Sequence, residues 1–209
     1  MIIKVCGMRD GQNIREVEAV HPDMMGFVFW SGSRHFVSEK PDYLPETCRV
    51  GVFVNSTPEY ICSIAQEYGL NRIQLHGTES AELCQTVHEL TGLPITKAVS
   101  ISSVIDLSQI GQYEDEDAVD MLLFDTKCVI WGGCGQEFDW SILDNYKGSK
   151  PFMLAGGIGP GMEERIMAIH HPQFAGIDLN SRFETEPSNK EISKLSVFIN
   201  NIRNYEQNE

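Results

Sequence analysis

Eight short, apolar, β-rich runs recur along the chain at a steady spacing: IIKVCGM, MMGFVFW, RVGVFVN, RIQLHG, ITKAVSI, MLLFDTK, FMLAGGI and FAGIDLN. Each is bounded by Gly, Pro, Asn or charged residues, the punctuation expected around strands. Between most of them lie helical stretches, GQNIREVEAV, TPEYICSIAQEYG, TESAELCQTVHEL and GMEERIMAIHH. Thr57 before Pro58 and Thr78 before Glu79 stand where a hydroxyl accepts from the unpaired N–H groups of a first helical turn. Gly69 is placed to end the second helix in a left-handed conformation. Strands alternating with helices predict parallel βαβ units, and eight of them close into a compact (βα)8 TIM barrel. At 209 residues the chain is short for that architecture, so some helices must be shortened. The second connection, SGSRHFVSEKPDYLPE, and the fifth, SSVIDLSQIGQYEDED, have room for little more than a turn or two. An open doubly wound sheet is the alternative, but it favours five or six strands, and no G-x-G-x-x-G follows the first run. No linker or low-complexity segment breaks the pattern, so residues 1–209 read as one barrel domain.

Composition narrows the class without changing the fold. A chain with 42% hydrophobic and 22% charged residues is an ordinary soluble globular protein. The absence of a long apolar run argues against a membrane span, and the first residues lack the marks of a signal peptide, which predicts a cytoplasmic protein. A net charge of −14 argues against nucleic acid or acidic membranes as partners. An anionic substrate would then need a local grip, from a few arginines or from backbone N–H groups. The cysteines Cys6, Cys48, Cys62, Cys84, Cys128 and Cys134 are scattered with no C-x-x-C pair, so they read as reduced thiols. No metal site is expected, because nothing assembles ligands at plausible spacing. The acidic run from Glu114 to Asp117 reads as a solvated loop, and His170 and His171 as favourable charges near a helix end.

In a barrel of this kind the active site lies at the C-terminal ends of the strands. The first strand ends at Cys6 and the sixth at Asp125; the fourth carries Gln74 and His76, and the eighth Asp178, Asn180 and Ser181, while Arg34 follows the second. A thiol and a carboxylic acid in one barrel mouth can act as base and acid on a small substrate. The thiol would need a lowered pKa, and Lys4, two residues earlier on the same face, either supplies that charge or pairs with a carboxylate such as Asp178. Asp125 would need a raised one, from desolvation by apolar surroundings. The seventh and eighth loops often hold phosphate in such barrels. Here they offer Gly156 and Gly157 with a helix start after them, and Asn180, Ser181 and Arg182. Trp131 and the glycines at 132, 133 and 135 read as a lid, and Lys127 as a surface charge.

The ordered set KVCGMRD, MGFVFW with SGSRHFV, GVFVN, IQLHG, LLFDTK, GGCGQEFDW, LAGGIGP and GIDLNSRFE resembles the phosphoribosylanthranilate isomerase family nearly end to end. The resemblance implies a cofactor-independent aldose–ketose isomerase, formally an intramolecular oxidoreductase, in tryptophan biosynthesis. It implies an Amadori rearrangement of N-(5-phosphoribosyl)anthranilate to 1-(2-carboxyphenylamino)-1-deoxyribulose 5-phosphate. In that scheme Cys6 is the general base at the sugar C2, Asp125 the general acid at the ring oxygen, and Arg34 the grip on the anthranilate carboxylate. Gln74, His76 and Asp178 would line the substrate. The phosphate would rest on Gly156, Gly157, Asn180, Ser181 and Arg182. The partner is a small anion carrying a phosphate and a carboxylate, and the protein a monomer or homodimer. The family commonly has a small Ser-Ser-Gly-type turn where this chain reads Asn180-Ser181-Arg182, and a glycine is missing from TEPSNKE before the last helix. An indole-glycerol-phosphate synthase would want catalytic lysines and a longer N-terminal extension; a pentose-phosphate epimerase would want histidines and paired aspartates at metal-binding spacing. A non-catalytic ligand-binding role on the same fold is the remaining alternative.

Overall fold

Every one of the eight apolar runs becomes a strand, and each strand pairs in parallel with its sequence neighbours until β8 closes against β1. The computed structural model describes residues 1–126 and 139–208. The strands are β1 (Ile2–Val5), β2 (Met24–Val28), β3 (Cys48–Phe53), β4 (Arg72–Leu75), β5 (Ile95–Ile101), β6 (Val119–Thr126), β7 (Phe152–Leu154) and β8 (Phe174–Leu179). The helices are α1 (Gly11–Glu18), α2 (Pro58–Tyr68), α3 (Ala81–Thr91), α4 (Gly111–Glu114), α5 (Glu163–Met167) and α6 (Ile192–Asn208). A short antiparallel pair, β9 (Glu184–Glu186) and β10 (Asn189–Lys190), is folded between β8 and α6.

The helices start where local chemistry satisfies their first N–H groups. Asp10 accepts from Asn13 N at 2.8 Å and opens α1. Thr57 caps α2 as expected, with Pro58 behind it, and Gly69 ends that helix at φ +55. The cap of α3 differs from the expectation: Ser80 caps it, not Thr78. Glu79 is drawn inward instead, 3.1 Å from the buried Lys97 Nζ and accepting from Asn55 N and Gly77 N. A buried cation needs a partner more than a helix needs an earlier start.

The second connection lacks a helix, and the fifth carries only a 3-10 turn (Val104–Ile110) and the single-turn α4, both as expected. The seventh is shorter than its sequence suggests, because α5 ends at Met167. His171 therefore serves no helix end. It lies 3.2 Å from the Tyr146 carbonyl and packs on the Phe152 ring. Glu114 is likewise not merely solvated, since it accepts from Tyr146 Oη and Ser149 N. The expected lid, with Lys127, Cys128, Trp131 and Cys134, lies outside the described residues.

The core has two layers. One lies between the strands and the outer helices, where α6 buries Leu195, Phe198, Ile199 and Ile202 at helical spacing. Each such side chain contributes about 1.5–3 kcal/mol. The other fills the barrel with Ala98, Met121, Leu123, Met153 and Ala155. This inner plug closes the barrel below its C-terminal mouth, where polar side chains take over.

Candidate active site

Cys6 sits where β1 stops for a conformational reason. Its N–H still reaches the Leu179 carbonyl at 2.8 Å. The next residue, Gly7, turns the chain at φ +80, a region that side chains disfavour. Alternation places Lys4 and Cys6 on the inner face. Gly26 on β2 leaves room for both, since a Cβ there would stand 2.7 Å from Cys6 Sγ and 3.1 Å from Lys4 Cε.

Lys4 is in register with Asp178 across the β1–β8 seam, and its Nζ donates to Asp178 Oδ2 and to Gln74 Oε1, both at 2.7 Å. Gln74 Nε2 stands 2.9 Å from His76 Nδ1, and His76 Nε2 3.1 Å from Asp125 Oδ2. Because Gln74 spends its oxygen on Lys4, its NH₂ donates to His76. His76 then carries its proton on Nε2 and donates to Asp125. One directed chain of donors thus runs from beside the thiol to the carboxyl of β6. Asp125 also accepts from Thr126 N at 2.8 Å, so donors surround it where an apolar setting was expected. Among the described residues Asp178 Oδ1 is buried without a hydrogen-bond partner, an acceptor left over for a ligand.

The thiol's electrostatics also differ from the expectation. Burial pushes Cys6 above the ordinary thiol value, and Asp178 adds to the rise; Lys4 and Lys190 pull against it without cancelling it. Burial likewise works against the charge on Lys4, but Asp178 and Cys6 together outweigh it and hold the ammonium above its usual range. Lys4 is both Asp178's partner and the thiol's nearest charge.

Cys6, Gln74, His76, Asp125 and Asp178 line one cavity of about 770 Å³, open solvent at its mouth included. Gly156, Gly157, Asn180, Ser181 and Arg182 line the same cavity, so the five expected phosphate residues come together. Gly156 is at φ +84, and a Cβ on it would fall 2.3 Å from Thr126 Oγ1. Only glycine brings backbone this close to the acid strand. The expected helix start does not contribute: α5 begins at Glu163, its first turn carries Glu163 and Glu164, and none of its residues lines the cavity. Arg182 fits a 3-10 turn (Ser181–Phe183) without positive φ, so the departure from glycine is tolerated. The other missing glycine is answered by Ser188, which adopts φ +67.

Arg34 does not reach the cavity. Its side chain is 57% exposed, with Nη2 3.5 Å from Glu184 Oε2. Its neighbour His35 lines the cavity instead, buried, with Nε2 3.0 Å from Glu184 Oε1. Lys190, also buried, donates to Glu184 Oε1 and, at 2.7 Å, to Asn180 Oδ1. Burial alone would raise the Glu184 carboxyl, but the His35 hydrogen bond and the Lys190 charge bring it down to about 2. Sequence reasoning missed His35, Glu184, Lys190 and Trp30. The turn residues Pro187, Ser188 and Asn189 were the available sign that Lys190 folds back towards Glu184.

The family model described as N-(5'phosphoribosyl)anthranilate (PRA) isomerase matches residues 3–201. The chain belongs to that family. The N-(5'-phosphoribosyl)anthranilate isomerase of Phocaeicola vulgatus is 48% identical over 204 residues, covering 97% of this chain and 98% of the relative. The crystal structure of the Thermus thermophilus family member superposes with a TM-score of 0.81 at 25% identity, covering 98% of this chain and all (100%) of that one. A family member solved with reduced 1-(o-carboxyphenylamino)-1-deoxyribulose 5-phosphate gives a TM-score of 0.79 at 28% identity, covering 98% and 100%. Among the described residues no helix is long and apolar enough to cross a membrane, and no three His, Cys, Asp or Glu side chains are grouped to hold a metal ion.

Proposed function

We infer that this chain converts N-(5'-phosphoribosyl)anthranilate into 1-(2-carboxyphenylamino)-1-deoxyribulose 5-phosphate, with Cys6 and Asp125 as its base and acid. The observation that carries the reading is the meeting of these two strand-end groups with the glycine loop of β7 and the turn after β8 in one cavity. Phosphate on the Gly156–Gly157 and Asn180–Ser181 backbone would place the sugar between them.

The chemistry follows from those positions. Asp125 gives a proton to the furanose ring oxygen while the anthranilate nitrogen pushes its lone pair into carbon 1, so the C1–O bond breaks and an iminium forms. Cys6, as thiolate, then takes the proton from carbon 2, and the electron pair flows into the iminium to give an enolamine. The enolamine then gains a proton at carbon 1 as its carbon 2 hydroxyl gives one up, which forms the carbon 2 carbonyl of the ketose. The substrate's own nitrogen is the electron sink, so the scheme calls for no cofactor. His76 orients Asp125, Gln74 couples it to Lys4, and the free oxygen of Asp178 would take a sugar hydroxyl. Every group used comes from one chain, so a monomer and a homodimer serve equally. The substrate, with a phosphate and a carboxylate, does not cross a bilayer unaided, which is in keeping with a cytoplasmic step where the substrate is made.

The test is a continuous fluorescence assay on substrate generated in situ. The parent should consume it rapidly, and Cys6→Ser and Asp125→Asn should each lose about 10²–10⁴-fold in kcat. A folded parent with no activity would sink the assignment; activity surviving in Cys6→Ser would remove Cys6 as the base.

A further inference from the structure

Lys190 is a buried cation to which the chemistry above gives no task. It is 2% exposed, although it belongs to the two-residue strand β10 and not to the barrel. Asn13 of α1 holds its backbone on both sides, donating from Nδ2 to the Lys190 carbonyl at 3.0 Å and accepting from Lys190 N at 2.8 Å. The side chain is thereby aimed at two acceptors, Glu184 Oε1 and, at 2.7 Å, Asn180 Oδ1.

Asn180 stands against the base. It follows Leu179, whose carbonyl accepts from Cys6 N, and a Cβ on Gly7 would fall 2.7 Å from its Oδ1. An ammonium only donates, so the Asn180 oxygen faces Lys190, and the NH₂ is what the amide has left for an anion in the cavity that Asn180 lines. The same ammonium acts on the thiol through its charge. Lys4 and Lys190 pull Cys6 down against burial and Asp178, and Lys4 is already committed to Asp178 and Gln74. Lys190 is itself faced by Glu184, which His35 also holds, and by Asp178. We propose that Lys190 is a positioning residue of the isomerisation: it turns the Asn180 amide to receive the substrate phosphate, and it gives the Cys6 sulfur a second positive charge besides Lys4. The proposal rests on the isomerase reading and adds to it the residue that couples the phosphate seat to the base.

Inorganic phosphate, used as a competitive inhibitor of turnover, reads the first role, and the pH dependence of kcat/KM reads the second. Lys190→Met keeps most of the bulk without the charge. It should weaken phosphate inhibition about 3- to 10-fold, the worth of one hydrogen bond, and move the rise of kcat/KM to higher pH. Asn180→Ala should weaken phosphate as much, with the rise at the parent's pH, because Lys4, Asp178, Lys190, His76 and Asp125 are all kept. The double variant should bind phosphate no worse than Asn180→Ala, since Lys190 acts on it through that amide. Lys190→Met leaves the buried Glu184 short of a partner; if it does not fold, the same comparisons are made in a Glu184→Gln background, each against Glu184→Gln alone. Phosphate inhibition unchanged by Lys190→Met, a pH profile that stays in place, or losses that add in the double variant would each overturn the role of Lys190 while a parent that turns over substrate keeps the isomerase reading. A folded parent that does not turn over substrate sinks that reading and this proposal with it.

Discussion

Replacing Gly26 with alanine crowds the Cys6 thiol without replacing any group that does chemistry. The new methyl would stand 2.7 Å from Cys6 Sγ, 3.1 Å from Lys4 Cε and 3.2 Å from Cys6 Cα. Ordinary carbon contacts are about 3.5–4 Å, so something must move by roughly 1 Å. Lys4 is tethered at both Asp178 and Gln74, and Cys6 Cα is backbone, which leaves the sulfur to swing away. Overpacking of this kind costs about 1–3 kcal/mol, a fall in Tm of roughly 2–12 °C for a chain of this size. A catalytic atom displaced by about 1 Å loses on the order of 10²-fold in rate. Steady-state fluorescence kinetics and a thermal melt on the same preparation measure both effects. The expected pattern is a hundredfold loss in kcat, a KM within about threefold of the parent, since the phosphate loops are untouched, and a modest drop in Tm. A variant that loses stability but keeps kcat within about twofold of the parent would refute the placement of Cys6 as base.

Because burial holds the Cys6 thiol above its ordinary value and the base must be deprotonated, kcat/KM should climb with pH through the neutral range into the alkaline; a flat profile from pH 6 to 9 would contradict this. His76→Phe removes the donor to Asp125 at similar bulk and should lower kcat about 10- to 100-fold with a small change in Tm; unchanged kcat would mean that the Asp125 carboxyl needs no orienting. Glu184, lowered from 4.5 to about 2, contributes stability present above its unfolded value and lost as pH falls towards 2. Glu184→Gln should therefore cost up to about 3 kcal/mol in urea unfolding at pH 7 and little near pH 2, and a deficit that does not shrink in acid would contradict the ion-pair account.

The eight strands and the two acid–base candidates were legible in the string of residues, because both obey short-range rules. Strand alternation and β-branching mark the runs, and the ends of barrel strands are where reactive groups face solvent. The glycine pair at 156–157 was legible for the same reason, since close backbone approach restricts the residue type. What only the tertiary structure decided depends on contacts between distant segments. Ser80 rather than Thr78 caps α3 because Lys97, from the next strand, claims Glu79. His35 rather than Arg34 enters the cavity because Glu184, far along the chain, holds its ring, and a loop has no periodicity to say which neighbour turns inward. The sign of the Cys6 shift belongs to the same class. Lys4 beside a thiol suggests a lowered value, but how deeply the barrel buries that thiol, and that Lys4 is shared with Asp178, are properties of the closed sheet. Local patterning sets which elements form and which residues end them; burial and long-range pairing set what charge each of those residues carries and where it points.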